Sequence, residues 1–298
     1  SIFPTYLVSQ VARKKVKVVL SGDGGDELFG GYDTYVAQEM DQVYRHLPIK
    51  LRRDILPALF ARIPPTPEKK GLVNKAKRFV EGASLPDALQ HTRWMMFMSQ
   101  ADKADLYTSE VRAALNGDSS AAIMVDYFAR RESFAPLSQQ QYVDIKTYLV
   151  DDILTKVDRM SMAVSLEARV PLLDYRIVEL AVNLPAYMKL HRGQTKRILK
   201  KAMADRLPES VLTKPKQGFS IPLKNWLRAE LKPMMLDLLT QDSILRRGLF
   251  SAETVATWVD EHLKGRANHS HRLWALMVFE LWHRQVLDAH RSLVEGSV

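Results

Sequence analysis

Leu20-Ser-Gly-Asp-Gly-Gly-Asp-Glu-Leu-Phe-Gly-Gly-Tyr32 decides how this chain is read. The residues before it, Val16-Lys-Val-Val-Leu20, are short and β-branched, so they are expected to form a buried strand stopped by Ser21-Gly22. A strand, a glycine-rich turn, three carboxylates within five residues and a helix start therefore meet in one stretch. In open α/β sheets, ligands usually sit just beyond the carboxyl ends of strands. Gly22, Gly24 and Gly25 would let the backbone turn sharply and approach a ligand closely. Asp23, Asp26 and Glu27 would repel a bare phosphate. They suit a Mg²⁺–phosphate complex or a substrate amine, where hard oxygen ligands are wanted. The plainer reading is an acid capping a helix, but a cap needs one acid and not three.

Moving outward, almost everything else has helical spacing. Pro4–Ala12 reads as a short helix with Tyr6, Leu7 and Val11 on one side. A long helix is expected from Gln139 to about Glu167, with Ile145, Leu149, Ile153, Val157 and Met160 on one face and Pro171 forcing its end. On it, Asp152 and Lys156 share a face, as do Thr155 and Arg159, the pattern of surface ion pairs. Met160-Ser-Met-Ala163 argues instead for a helix that is largely buried, where charges need partners. Asp174 is a candidate cap for a helix over Tyr175–Asn183. Helices over Thr195–Arg206, Trp226–Leu239 and Arg272–Leu287 follow. In the first of these, Gly193-Gln194-Thr195 can open the helix and place Lys196 in its first turn, where a cation opposes the helix dipole unless an anion is near. Ile63–Gly71, Asn116–Ser120, Leu207-Pro208 and Pro215–Pro222 are expected as loops or turns. Only one strand is legible, an odd inventory for a strand–turn–helix unit that normally belongs to a sheet.

Composition narrows the chemistry. The chain has 298 residues, ordinary hydrophobic and charged fractions of 46% and 26%, and no cysteine. Disulfides, thiolate metal sites and a cysteine nucleophile are thereby excluded. No apolar run approaches a membrane span and no signal peptide opens the chain, so a cytoplasmic protein is expected. The excess of 43 Lys+Arg over 34 Asp+Glu, a net charge of +9, allows an anionic partner or simply a lysine-rich solvated surface. His262, His269 and His271 lack supporting carboxylates or thiols and read as surface histidines. Ser21 and Ser165 have no His/Asp relay at recognisable spacing. Trp226, Trp258, Trp274 and Trp282 fall on helical periods and read as core anchors.

Four segments in one order resemble the asparagine synthase family, in the C-terminal part of its synthetase domain. Ser21–Tyr32 is similar to that family's second nucleotide-site signature. Lys156-Val-Asp-Arg-Met-Ser-Met-Ala and Ser165–Asp174 resemble its central helix and following turn, and Thr195-Lys196-Arg-Ile-Leu-Lys and Lys214–Leu223 its later signatures. The match runs from about Pro4 to Leu227. The resemblance implies an α/β parent fold of the adenine nucleotide α-hydrolase-like, PP-loop ATP pyrophosphatase type, of which this chain supplies a mostly α-helical part with about one strand. It also implies the reaction: ATP activates a carboxylate, typically that of aspartate, as an acyl-adenylate with release of pyrophosphate, and ammonia from glutamine then gives the amide. By the same resemblance Ser21, Gly22, Gly24, Asp26, Glu27 and Tyr32 lie near the nucleotide, and Asp23 and Asp26 near Mg²⁺ or the substrate amine. Asp23, Lys196 and Lys156 are the implied catalytic residues. Lys196 would stabilise charge building on pyrophosphate or the tetrahedral intermediate, and Lys156 would face the phosphates.

The departures are large. The family's first nucleotide motif, Ser-Gly-Gly-x-Asp-Ser after a strand, and its glutaminase half with a leading cysteine are missing from this sequence. Residues 1–298 are accordingly expected to be the C-terminal part of a synthetase domain, cut within it, and inactive alone. Aspartate, ATP and ammonia from a glutaminase domain are the expected small-molecule partners, and a homodimer is an open option. Two alternatives stay open. One is a related amidotransferase acting on a sugar carboxylate for surface polysaccharide, which the basic stretches Lys50–Arg53 and Lys75–Arg78 would suit. The other is a basic helical nucleic-acid-binding module, which uses the net charge but leaves the acidic turn unexplained.

Overall fold

The computed structural model describes residues 1–63, 72–131, 133–214, 218 and 221–289. The chain divides into two compact units, one formed by Ser1–Pro57, Phe79–Trp94 and Ala121–Ile221, the other by Ala58–Arg78, Met95–Ser120 and Pro222–Val298.

The first unit opens with helix α1 (Ile2–Arg13), whose early proline is tolerated because first-turn amides have no helical partner. Its buried side is Thr5 and Ser9, while of the residues read on one side Tyr6 is half-buried and Leu7 and Val11 are exposed, Leu7 at 57%. Strand β1 (Val18–Leu20) follows, then helix α2 (Gly25–Phe29) and helix α3 (Asp33–Tyr44). Strand β1 is not buried as expected: Leu20 is 74% exposed. It pairs, in parallel, with a second strand that sequence reading missed, β2 (Glu167–Arg169), in the register Val18–Glu167, Val19–Ala168 and Leu20–Arg169. Among the described residues this two-stranded sheet is all the β-structure beyond isolated bridges.

After helix α4 (Asp87–Met95), one helical run joins α5 (Pro136–Asp144), a wider-wound π segment (Ile145–Leu154) and α6 (Thr155–Met162). It ends earlier than expected. Val164 and Leu166 donate to the Ser161 carbonyl, Ser165 donates to that of Met162, and Ser165 takes the left-handed φ of 58°. This is a Schellman stop with buried Leu166 just after it, so Pro171 has no helix left to end. The run is also less buried than expected: Leu149 is the buried residue of the π segment and Ser161 that of α6. The charges of these two segments are exposed or half-buried and need no buried partners, whereas Asp144 at the end of α5 is fully buried. Helix α1 packs on α6, and α6 against β2.

Asp174 caps helix α7 (Tyr175–Asn183) as expected, accepting the Arg176 amide at 3.0 Å. Helices α8 (Ala186–Lys189) and α9 (Arg197–Ala202) complete the part that concerns the site. Leu28 and Phe29 of α2 are buried with Ala181 of α7, against Leu172, Leu173, Ile177 and Ile198. Tyr35, Leu137 and Leu190 form a second core cluster.

The second unit is helical around buried Leu227, Met235, Leu273 and Met277. Two of its histidines are not the surface groups expected, whereas His271 is exposed as expected. His262 is fully buried and accepts the His269 amide, while the nearly buried His269 ring meets Glu261 at 2.6 Å. Trp258 is a buried anchor, whereas Trp282 is 47% exposed. The turn at Asn116-Gly117 is present, with both residues at positive φ. The proline loop from residue 64 to 71, and residues 215–217, 219 and 220 of the Pro215–Pro222 loop, lie outside the described residues. No described helix is long and apolar enough to cross a membrane.

Candidate active site

The acidic turn begins where β1 ends. The Ser21 amide donates to the Arg169 carbonyl at 2.7 Å, so the turn leaves directly from the sheet. The Ser21 hydroxyl donates to the Asp23 carboxylate, tying the first serine of the turn to its first acid. Gly24 has φ 81°, a backbone that L side chains resist, and a Cβ there would overlap Leu173. That glycine precedes α2, whose first turn carries Asp26 and Glu27.

The three carboxylates have three different fates. Asp23 is half-buried and meets Ser21. Asp26 makes an ion pair with Lys196, Oδ1 to Nζ, at 2.9 Å, with the two side chains 15% and 27% exposed. A Cβ on Gly31 would overlap both Asp26 and Lys196, so the pair closes over bare backbone. Glu27 is 1% exposed and accepts the Tyr32 hydroxyl. Burial pushes the Glu27 carboxyl above its usual range, and the Tyr32 hydrogen bond offsets part of that rise. Burial, with the Glu27 charge beside it, pushes the Tyr32 phenol far up.

Lys196 is not in the first turn of its helix, as the glycine signal suggested. It is the residue before α9, at φ 55°, and its amide donates to the Phe29 carbonyl at 3.2 Å. The end of α2 thereby holds the backbone from which the lysine reaches Asp26. The hairpin before it is also fixed: the Arg192 and Gly193 amides donate to the Glu39 carboxylate at 2.6 and 2.7 Å.

A buried polar layer supports the turn, and sequence reading missed it. Asp144 accepts the Tyr35 hydroxyl at 2.6 Å and faces His91 Nε2 at 2.7 Å, all three fully buried. Gln141 donates to the Glu27 carbonyl at 2.6 Å, and Gln140 to Gln38 at 2.9 Å. The Tyr148 ring meets that of Tyr32 edge-on at 5.9 Å, and its phenol is pushed up to about 12, mainly by burial. The available signal was Ser138-Gln-Gln-Gln141, a polar run at the start of a helix otherwise read by its apolar face.

The structure thus joins Ser21 with Asp23, Asp26 with Lys196, and Glu27 with Tyr32. It does not join Lys156 to them. Lys156 is half-exposed on α6 and makes no hydrogen bond or ion pair among the described residues, with Asp152 or with any other group. Asp152 lies in the π segment, where the spacing of 3.6 residues per turn that paired it with Lys156 no longer holds.

Two carboxylates able to face solvent, Asp23 and Asp26, fit a Mg²⁺ ion that takes its remaining ligands from phosphate and water. They do not make an all-protein metal cage, and no group of three or more His, Asp or Glu suited to a metal occurs among the described residues. Glu27 is committed to Tyr32 and reads as a support of the turn.

Comparison with known proteins places these residues in a family. Residues 1–284 match the family model described as asparagine synthase. Asparagine synthetase [glutamine-hydrolyzing] 1 of Bacillus subtilis is 32% identical over 285 residues, covering 94% of this chain and 42% of that protein. Asparagine synthetase [glutamine-hydrolyzing] 3 of the same organism is 42% identical over 72 residues, 24% of this chain and 12% of that protein. Amidase chyE of Penicillium rubens is 24% identical over 261 residues, 80% of this chain and 37% of that protein. The chain therefore spans about two fifths of the length of the first of these relatives. With its acidic turn held against Lys196 and the family match running through nearly its whole length, the chain belongs to the asparagine synthase family.

Proposed function

We propose that this chain is the C-terminal part of the synthetase domain of an ATP-dependent ligase that converts aspartate to asparagine through a β-aspartyl-adenylate, with ammonia released from glutamine. The parent fold we infer is the α/β, PP-loop ATP pyrophosphatase type. The observation that carries the reading is the Asp26–Lys196 ion pair at the foot of the glycine-rich turn, in a chain of this family.

ATP is a substrate here, and its adenylation of the carboxylate sets negative charge free on pyrophosphate. Lys196 is placed to meet that charge, its ammonium being held by Asp26 until an anion competes for it. Asp23 and Asp26 would hold Mg²⁺, which when bound neutralises phosphate charge, or would receive the substrate amine. Ser21, Gly22 and Gly24 let backbone approach the nucleotide, and Glu27 with Tyr32 keeps the first turn of α2 in place. Lys156 would act on the phosphates only through a side-chain movement on α6. The site as described is the second half of a nucleotide pocket, so we expect no ATP–pyrophosphate exchange by this chain alone.

The acceptor is tested on the natural full-length polypeptide containing these residues. With ATP, glutamine and Mg²⁺, aspartate should yield asparagine and AMP in equal amounts. Amide formation on a hexuronic acid and none on aspartate would assign the sugar-carboxylate alternative, and ADP in place of AMP would remove adenylation altogether.

A further inference from the structure

Beside the acidic turn's lysine, α9 turns another face to a cleft of about 710 Å³ that the reaction above does not use. Its wall carries Arg197, Lys200 and Lys201, and its apolar part includes Met188, Ile198 and Leu212. Lys200 and Lys201 stand three and four residues after Arg197 on one helix, so each is a neighbour of Arg197 at about 5–6 Å between Cβ atoms. The Arg197 guanidinium is fixed by donating to the Tyr187 carbonyl at 2.6 Å. The Lys200 and Lys201 ammonium groups have no hydrogen-bond or ion-pair partner among the described residues. Among the described residues no carboxylate lines the cleft, and Glu39, which touches the Gly193 edge, is spent on two backbone amides. Thr195, Gln194 and Thr213 add neutral hydrogen-bonding groups.

Three close cations without an acid describe a site for a multiply charged anion. The concave shape, the size and the apolar part match a small-molecule pocket and not an open nucleic-acid track. We propose that this cleft binds a small molecule carrying two or more phosphate groups, at a place distinct from the Asp26–Lys196 pair. The inference does not rest on the ligase reading, because the acidic turn contributes no residue to the cleft.

Isothermal titration of the chain with sodium tripolyphosphate, and separately with ADP, both without divalent metal, tests it. Saturable binding is expected, weakened about tenfold or more by combined Lys200→Glu and Lys201→Glu, restored by Lys200→Arg with Lys201→Arg, and kept within about twofold by Lys196→Met. Tighter binding of ADP than of tripolyphosphate would assign an organic body lying on Met188, Ile198 and Leu212. Equal or weaker binding would assign the phosphates alone, and either result supports the site. All three substituted positions are partly or fully exposed, and circular dichroism checks that the variants fold. Absent binding, or binding indifferent to the glutamate pair, overturns the proposal. Binding abolished by Lys196→Met alone would return the anion to the acidic turn. A single-stranded oligonucleotide that binds through the same lysines and is not displaced by tripolyphosphate would replace the small molecule with nucleic acid.

Discussion

Lys189 is 1% exposed on α8, and its ammonium donates to the Ala181 carbonyl in the last turn of α7 at 3.1 Å. A cation at a helix C-terminus is favourably placed against the helix dipole, and here it adds to the bond that carbonyl already accepts from the Leu184 amide at 3.3 Å. Burial nevertheless pulls this lysine down to about 8, from an ordinary value of 10.5. Between those two values the unfolded chain binds a proton that the folded chain does not, so the group's contribution to stability rises as pH rises from about 8 to about 10.5. Urea titrations across that window should show the rise, and Lys189→Met should flatten it. A wild-type slope retained in the variant would place the titration elsewhere. At this scale the acids stood out because carboxylates crowded around glycines have few bland explanations, whereas Lys196, whose basic stretch reads by itself as a solvated face, was singled out only by the family resemblance. Their pairing was not legible, since Asp26 and Lys196 meet only through the fold. Asp144 and His91 were invisible for a related reason: each is a single polar residue in an unremarkable helix, given meaning only by the other.

The turn that ends α6 shows what elements conceal. Ser165 occupies the left-handed C′ position that glycine usually fills, and Glu167-Ala-Arg169 has helix-forming composition, so nothing in the letters announced a stop or a strand. The strand forms because β1 offers it parallel hydrogen bonds, a tertiary cause. Ser165→Gly is expected to raise stability by about 0.5–1 kcal/mol, since relief of left-handed strain exceeds the added freedom of the unfolded chain. Thermal unfolding would register this as a higher melting temperature, and an unchanged or lower one would mean that the serine side chain contributes more than its backbone costs. The capped helix α7 was read correctly for the opposite reason, as its Asp174 signal is local. Held by hydrogen bonds from Arg176, that carboxyl sits at about 2.

Across the first unit, a parallel pair of strands and α1 leave apolar side chains in the open, among them Ile2, Leu7, Val11, Val16 and Leu20. Sequence reading assigned the strand to the interior because β-branched runs usually lie there; what was not legible is that the described residues supply only one neighbour for it. Such a face should bind a hydrophobic dye and promote association of the chain. Leu7→Gln with Val11→Lys should reduce both while moving stability by no more than about 0.5 kcal/mol, as these side chains are already exposed. Unchanged dye binding would locate the apolar surface elsewhere. The net charge of +9, unexplained by composition, acquires one local meaning in the three cations of the α9 cleft. In the proposed ligase reaction Lys196, held by Asp26, meets the charge developed on pyrophosphate. Steady-state formation of asparagine and AMP by the natural full-length polypeptide, with Lys196→Met beside the unchanged protein, tests it most directly. The expected result is a fall in kcat of about 10²–10³-fold with the fold intact; an amide-forming rate equal to that of the unchanged protein would contradict the claim.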